Sequence, residues 1–298
     1  MTEAVLLCFT DEADRAAGIA DAAGMRVETI DRHRFPDGEL RLRLPPVLSA
    51  RAAVLRSLDH PNEKLVELLL AARGARELGV RHMTLVAPYL AYMRQDAAFV
   101  PGETVSQRII GRFIAELFDA LITVDPHLHR VERLDQAVPV SQACVLSGAP
   151  ALADLIVSRR ERPLLVGPDA ESRQWVASAA ARHGLEHAVC SKIRHGDRSV
   201  AISLPDADFA GRHVVLLDDV ASTGHTVATA TRLLRAAGAS TVDLAVTHAL
   251  FAGDALELIR EAGIDEIWST DCIAHPSNAA SMGPRLGEAL RSLVHMPA

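Results

Sequence analysis

The sequence predicts an α/β protein built on largely parallel sheets flanked by helices. Three observations carry that expectation. Short apolar runs alternate with segments of helical period along all 298 residues, turn residues punctuate the joins, and the residues richest in chemistry follow the ends of the apolar runs. Alternation of this kind gives parallel sheets covered on both faces, with ligands at the carboxyl ends of the strands. A composition of 49% hydrophobic and 23% charged residues excludes disordered and fibrous classes.

In chain order, apolar runs over 5–8, 53–58, 83–87 and 121–124 read as strands of a first half, with helices over 12–23, 62–78 and 104–117. In the helix over 62–78, Leu65, Leu68, Leu69, Ala72 and Ala75 make one apolar face while Glu63, Lys64, Glu67 and Arg76 lie elsewhere, the pattern of a helix packed on a sheet. Leu40, Leu42 and Leu44 alternate with Arg41 and Arg43, a half-buried strand entered through a Pro-Asp-Gly turn. The second half repeats the scheme, with strands over 164–167, 200–204, 214–217, 242–247 and 266–269 and helices over 172–182, 226–236, 254–262 and 285–293. Leu85-Val86-Ala87-Pro88 and Leu165-Val166-Gly167-Pro168 echo each other at two strand ends. The echo favours two similar domains, 1–147 and 148–298, joined near Ser147, Gly148 and Pro150, where turn residues precede a new helix.

The formal charge of −7 and the absence of a Lys/Arg run argue against a nucleic-acid partner. Cys8, Cys144, Cys190 and Cys272 are scattered and form no CxxC pair, so neither a zinc site nor a disulfide framework is expected. No apolar stretch approaches membrane-spanning length and the first residues carry acid, not a basic targeting segment, so a cytoplasmic protein without membrane contact is expected.

The most informative segment runs from Val214 to Thr226. An apolar strand ends in Asp218 and Asp219, and the turn Ser222, Thr223, Gly224 opens a helix at His225 and Thr226. Backbone N–H groups at such a turn, together with the Ser and Thr hydroxyls, hold a phosphate at the positive end of the helix dipole. The two carboxylates would repel phosphate; they suit sugar hydroxyls or a metal ion. The whole reads as a seat for a phosphorylated sugar, against the simpler reading of a Ser/Thr-capped helix.

Other constellations follow strand ends. Phe35, Pro36, Asp37, Gly38 and Glu39 combine a ring able to stack on a nucleobase with carboxylates able to accept from an exocyclic amine. Tyr89, Tyr92, Arg94, Gln95 and Asp96 follow a strand ending at Pro88, where an Arg could stack on a purine or pair with phosphate. His127 and Asp169 each stand just after a strand, and Mg²⁺ needs few protein ligands when it keeps waters and substrate phosphates. Lys192 and Arg194 alternate along a polar stretch containing Gly196, either a basic hairpin tip or an arm bringing cations to a transferring phosphoryl group.

Taken in order, these segments resemble the ribose-phosphate pyrophosphokinase (PRPP synthetase) family, over nearly the whole chain. The stretch Phe99-Val100-Pro101-Gly102-Glu103-Thr104-Val105-Ser106 is nearer its shorter archaeal-type members. The resemblance implies two phosphoribosyltransferase-like domains and transfer of a diphosphoryl group from MgATP to the 1-hydroxyl of ribose 5-phosphate. It implies that Phe35, Asp37 and Glu39 hold adenine at a subunit interface of a homo-oligomer, with Arg94 and Gln95 on the nucleotide. His127 and Asp169 would serve Mg²⁺, and Lys192 and Arg194 would be the transition-state cations. Ser222, Thr223, Gly224, His225 and Thr226 would hold the 5-phosphate, with Asp218 and Asp219 near the ribose hydroxyls. His225 in place of the usual Gly, Glu171-Ser172 in place of a Gly-rich step, and Ala97-Ala98 in place of basic residues depart from the family pattern. A phosphoribosyltransferase and a non-catalytic regulatory paralogue remain the alternatives.

Overall fold

A computed structural model describes residues 4–128, 130–195 and 199–295. The chain forms two compact units, one of residues 1–146 and 283–298, the other of residues 147–282. The first unit contains β1 (Val5–Phe9), α1 (Ala13–Ala23), β2 (Arg26–Arg34), β3 (Leu40–Arg43), β4 (Arg51–Leu55), α2 (Pro61–Glu77), β5 (His82–Ala87), α3 (Ser106–Leu117), β6 (Ala120–Val124), α4 (Leu134–Ala137) and β7 (Gln142–Leu146). Its sheet has the order β3-β2-β1-β4-β5-β6-β7, parallel throughout except for β2 against β3.

Successive strand residues face opposite sides of a sheet. Leu7, Val54, Leu85 and Leu121 therefore meet Leu65, Leu68 and Ala72 of α2 and Ile114 of α3 in one core. Strand β2 was not anticipated, because its sequence RVETIDRHR buries only Ile30 fully. Residues 26–30 pair with β1 in parallel and 31–34 turn to pair antiparallel with β3, so the apolar alternation that marks a half-buried strand never builds up. The strand expected over 53–58 ends at Leu55, and the apolar face expected on α2 is rotated: Leu69 is exposed and Glu67 is 1% exposed.

The second unit contains α5 (Ala149–Arg159), β8 (Leu164–Gly167), α6 (Arg173–His183), β9 (His187–Val189), β10 (Ser191–His195), β11 (Ser199–Ser203), β12 (His213–Ala221), α7 (His225–Ala236), β13 (Thr241–Ala249), α8 (Ala255–Glu261), β14 (Ile267–Thr270) and β15 (Asn278–Ala280). The order β15-β14-β13-β12-β8-β9 is parallel throughout. Both faces are covered, and the strands split their side chains between them. Val214, Leu216, Val242 and Leu244 pack with Val227 and Leu234 of α7 and Ile259 of α8. Val215, Leu217 and Ala245 pack with Leu152 and Ile156 of α5 and Trp175 and Val176 of α6. Near-continuous apolar runs in β12 and β13 follow from burial on both sides.

The last helix, α9 (Gly283–His295), returns to the first unit, where it packs on α1 and against β6 and β7. The second unit therefore ends at Met282 and not, as the division at 147/148 anticipated, at the end of the chain. Gly287 permits the approach: a Cβ there would lie 2.4 Å from the Ile19 carbonyl oxygen and 2.5 Å from Ala22 Cβ.

Candidate functional site

The turn at 222–226 is held from behind. β12 runs on to Ala221, so Asp218 and Asp219, expected just beyond the strand, lie within it, with Asp218 opposite Val246 of β13. Gly224 caps α7 at φ 77°. An added Cβ would meet the Ala255 carbonyl at 3.0 Å and Ile259 carbons at 3.1 Å, so both conformation and space call for glycine. The Phe251 and Ala252 N–H groups donate to the carbonyls of Ala221 and Ser222, each at 2.9 Å. No side chain caps α7, and its first turn holds no acid. Its leading N–H groups lack intrahelical partners and suit an anion. Thr223 and His225 are exposed, Ser222 and Thr226 half-buried.

Three carboxylates gather beside this turn. Burial first, and then the charges of Asp219 and Asp169, push the Asp218 carboxyl well above the usual carboxylate range. Asp169 is itself buried and accepts from the Glu171 N–H at 3.0 Å at the start of a short turn after β8. Gly167 makes that turn possible, since a Cβ would lie 2.2 Å from Ser172 Oγ. Burial and the Asp169 charge also raise the Cys190 thiol to about 11. Glu171 is exposed. Lys192 and Arg194 occupy alternate positions of β10, opposite Ile202 and Val200 of β11; their side chains lie outside the described residues.

In the first unit, Phe35, Asp37 and Glu39 form the exposed tip of the β2–β3 hairpin. Phe35 N–H donates to the Glu39 carbonyl at 2.8 Å, and the Phe35 ring meets His33 edge-on at 4.8 Å. The hairpin is clamped to α2: Arg34 grips Glu63 with both guanidinium nitrogens, at 2.6 and 3.2 Å, and Arg32 pairs with Glu67. Arg94 is exposed, and Gln95, half-buried, accepts from the Gln107 N–H at 3.2 Å. Asp96 does a different task. Burial pushes its carboxyl up, but the Arg130 N–H and guanidinium outweigh that and hold it below the usual range. Half-buried His127 lies between Asp125, at φ 36°, and this anchor. His127 belongs to the first unit and Asp169 to the second.

Sequence reasoning missed the Asp96–Arg130 and Arg34–Glu63 pairs. Both join partners about thirty residues apart or more, a separation at which no local pattern signals contact. Among the described residues, no three or more His, Cys, Asp or Glu side chains are grouped so as to hold a metal ion.

Residues 4–118 match the family model described as the N-terminal domain of ribose phosphate pyrophosphokinase, and residues 142–267 match the phosphoribosyl transferase domain. A ribose-phosphate pyrophosphokinase of Methanopyrus kandleri is 34% identical over 97% of this chain and 99% of its own. The chain belongs to the ribose-phosphate pyrophosphokinase family. Another member, from Methanosarcina acetivorans, is 34% identical over 93% of this chain and 96% of its own, and one from Halobacterium salinarum is 31% identical over 96% and 100%. Near full-length matches to archaeal pyrophosphokinases agree with the reading of the 99–106 stretch. The fold is shared with the crystal structure of phosphoribosylpyrophosphate synthetase from Mycobacterium smegmatis, at a TM-score of 0.83 and 24% identity over 98% of this chain and 99% of that one. No helix among the described residues of this pyrophosphokinase-family chain is long and apolar enough to cross a membrane.

Proposed function

We propose that the chain is a ribose-phosphate diphosphokinase, converting ribose 5-phosphate and MgATP to PRPP and AMP. The observation that supports it most is the glycine-capped 222–226 turn standing beside Asp218 and Asp219. Ser222, Thr223, Gly224, His225 and Thr226 take the 5-phosphate on backbone N–H groups and hydroxyls. Asp218 and Asp219 take the ribose hydroxyls. The sugar 1-hydroxyl oxygen forms a bond to the β-phosphorus as the bond from that phosphorus to the α,β-bridging oxygen breaks. AMP leaves with the bridging oxygen and the hydroxyl proton passes to water. Such a transfer needs positioning and charge neutralisation and no covalent enzyme intermediate.

Lys192 and Arg194 neutralise charge on the transferring group. Phe35, Asp37 and Glu39 hold adenine, with Arg94 and Gln95 against the nucleotide. The hairpin tip is exposed, Phe35 at 38%, as contact with the nucleotide of a neighbouring copy in a homo-oligomer requires. Asp169 and His127 are the residues assigned to Mg²⁺. An imidazole and a carboxylate are ordinary donors for a hard divalent cation, Asp169 is buried near Asp218 and Asp219, and Mg²⁺ takes few protein ligands besides waters and phosphates. Bound there, Mg²⁺ would offset phosphate charge. The four free cysteines suit a cytoplasmic setting.

Phosphorus NMR of MgATP with ribose 5-phosphate and the purified protein tests the reading. AMP and an anomeric diphosphate should form together and only with the sugar present. ADP with inorganic phosphate would remove the proposal, and base-dependent consumption of PRPP would replace it with a phosphoribosyltransferase.

A further inference from the structure

Behind α8, the second unit carries a cavity of about 250 Å³ to which none of the residues assigned above contributes. Leu256, Ile264, Ile267 and Pro276 give it apolar walls. Its one carboxylate, Asp265, is already paired with Arg235 and accepts from the Val242 N–H at 2.7 Å. The Arg260 side chain on the same wall belongs to an exposed residue and pairs with no carboxylate among the described residues, which leaves its positive charge open to an anionic ligand. His275 lines it as well. The Ser277 N–H and Ser277 Oγ lie 3.1 and 2.7 Å from His275 Nδ1; with that nitrogen accepting from both, the ring proton sits on Nε2, a further donor. Burial and the nearby Arg260 both disfavour a second proton on that ring.

Apolar walls with an unmatched guanidinium and a donor call for an amphiphilic anion. The volume falls below the ~300–1,000 Å³ of ordinary ligand pockets, which limits the ligand to about one ring.

The same elements support the sugar-phosphate turn. Ala255 and Ile259 of α8 abut Gly224, while Leu256 and Arg260 of that helix line the cavity. The Phe251 ring packs on His275 at 5.0 Å, and the Phe251 backbone is bonded to Ala221. We propose that this cavity is a regulatory site for a small single-ring carboxylate, which pairs with Arg260 and whose binding shifts the 222–226 turn through α8 and Phe251. The regulatory part rests on the sugar-phosphate reading of that turn; the binding part does not.

Benzoate titrated into the full chain, carrying labelled isoleucine methyl groups, tests it. Ile264 and Ile267 report on the cavity and Ile259 on the turn. Saturable shifts are expected at all three. Arg260→Ala, an exposed position, should weaken benzoate by about tenfold or more, and neutral benzamide should bind less well than benzoate. No saturable shift at Ile264 or Ile267, or one unchanged in Arg260→Ala, would overturn the site. Shifts in the cavity with none at Ile259 would overturn the coupling. A separate titration with ribose 5-phosphate isolates the other reading: if Ile259 ignores the sugar phosphate yet follows benzoate, the sugar assignment fails and the cavity stands.

Discussion

Among the described residues Arg56 is the largest fully buried side chain, at 1% exposure, and its charge is met on several sides. It pairs with Asp11 at 2.8 Å, Glu12 at 3.2 Å and Glu67 at 2.5 Å, and its guanidinium stacks over Phe9 at 4.6 Å. Removing one partner from a buried pair leaves an uncompensated charge, typically a loss of about 3–5 kcal/mol. Glu67→Ala should therefore destabilise the protein by roughly that amount in urea denaturation, and a loss within error of zero would mean that the other carboxylates suffice. The catalytic assignments make two further predictions at this scale. Lys192→Ala should lower turnover by orders of magnitude with little change in KM, because its charge matters most at the transition state; near-normal turnover would take Lys192 out of the reaction. Asp169→Asn keeps the acceptor for the Glu171 N–H while removing the charge, so it should raise the Mg²⁺ concentration needed for half-maximal activity. An unchanged metal titration would count against the assignment.

Among the elements, α5 and α6 are tied at one end by Asp154, which accepts from Arg182 at 2.6 and 2.8 Å and lies 2.7 Å from His183 Nε2. The Arg182 hydrogen bond is the main cause holding the Asp154 carboxyl down at about 2. The unfolded chain, with a carboxyl near 3.9, binds more protons between those values. The contribution is thus fully present at neutral pH and is lost as pH falls from about 4 towards 2. With side chains 42–44% exposed the pair is screened, so Asp154→Asn should cost under ~1 kcal/mol at pH 7. The gap between wild-type and variant urea midpoints should narrow as pH is lowered towards 3; a gap independent of pH would mean that packing, not charge, is at stake. Helix α2 shows what a helical repeat conveys and what it omits. The period placed Leu65, Leu68, Ala72 and Ala75 on the buried side, as found. Leu69 and Glu67 sit at the two margins of that face, where hydrophobicity alone favours the leucine. Arg56 and Arg32, from strands β4 and β2 or just beyond, draw the carboxylate inward instead.

At the scale of the whole molecule, α9 closes the first unit from the far end of the chain. Gly287→Ala would drive a methyl group into the Ile19 carbonyl, and overpacking of this kind costs about 1–3 kcal/mol or more. A lowered Tm and faster proteolytic release of the last helix are expected. An alanine variant as stable and as protease-resistant as the parent would show that the helix–helix approach has room to relax. Most of the strand–helix order and the family could be read from the sequence by itself, because apolar periodicity and turn chemistry are local properties. So could the helix over 285–293, though not its partner. That α9 rejoins the first unit, that β2 forms at all, that Asp96 anchors Arg130 and that Glu67 turns inward were decided by tertiary structure. Each depends on a contact between segments distant in the chain, where complementary charge or a missing Cβ outweighs local preference, and no window of neighbouring residues contains both partners.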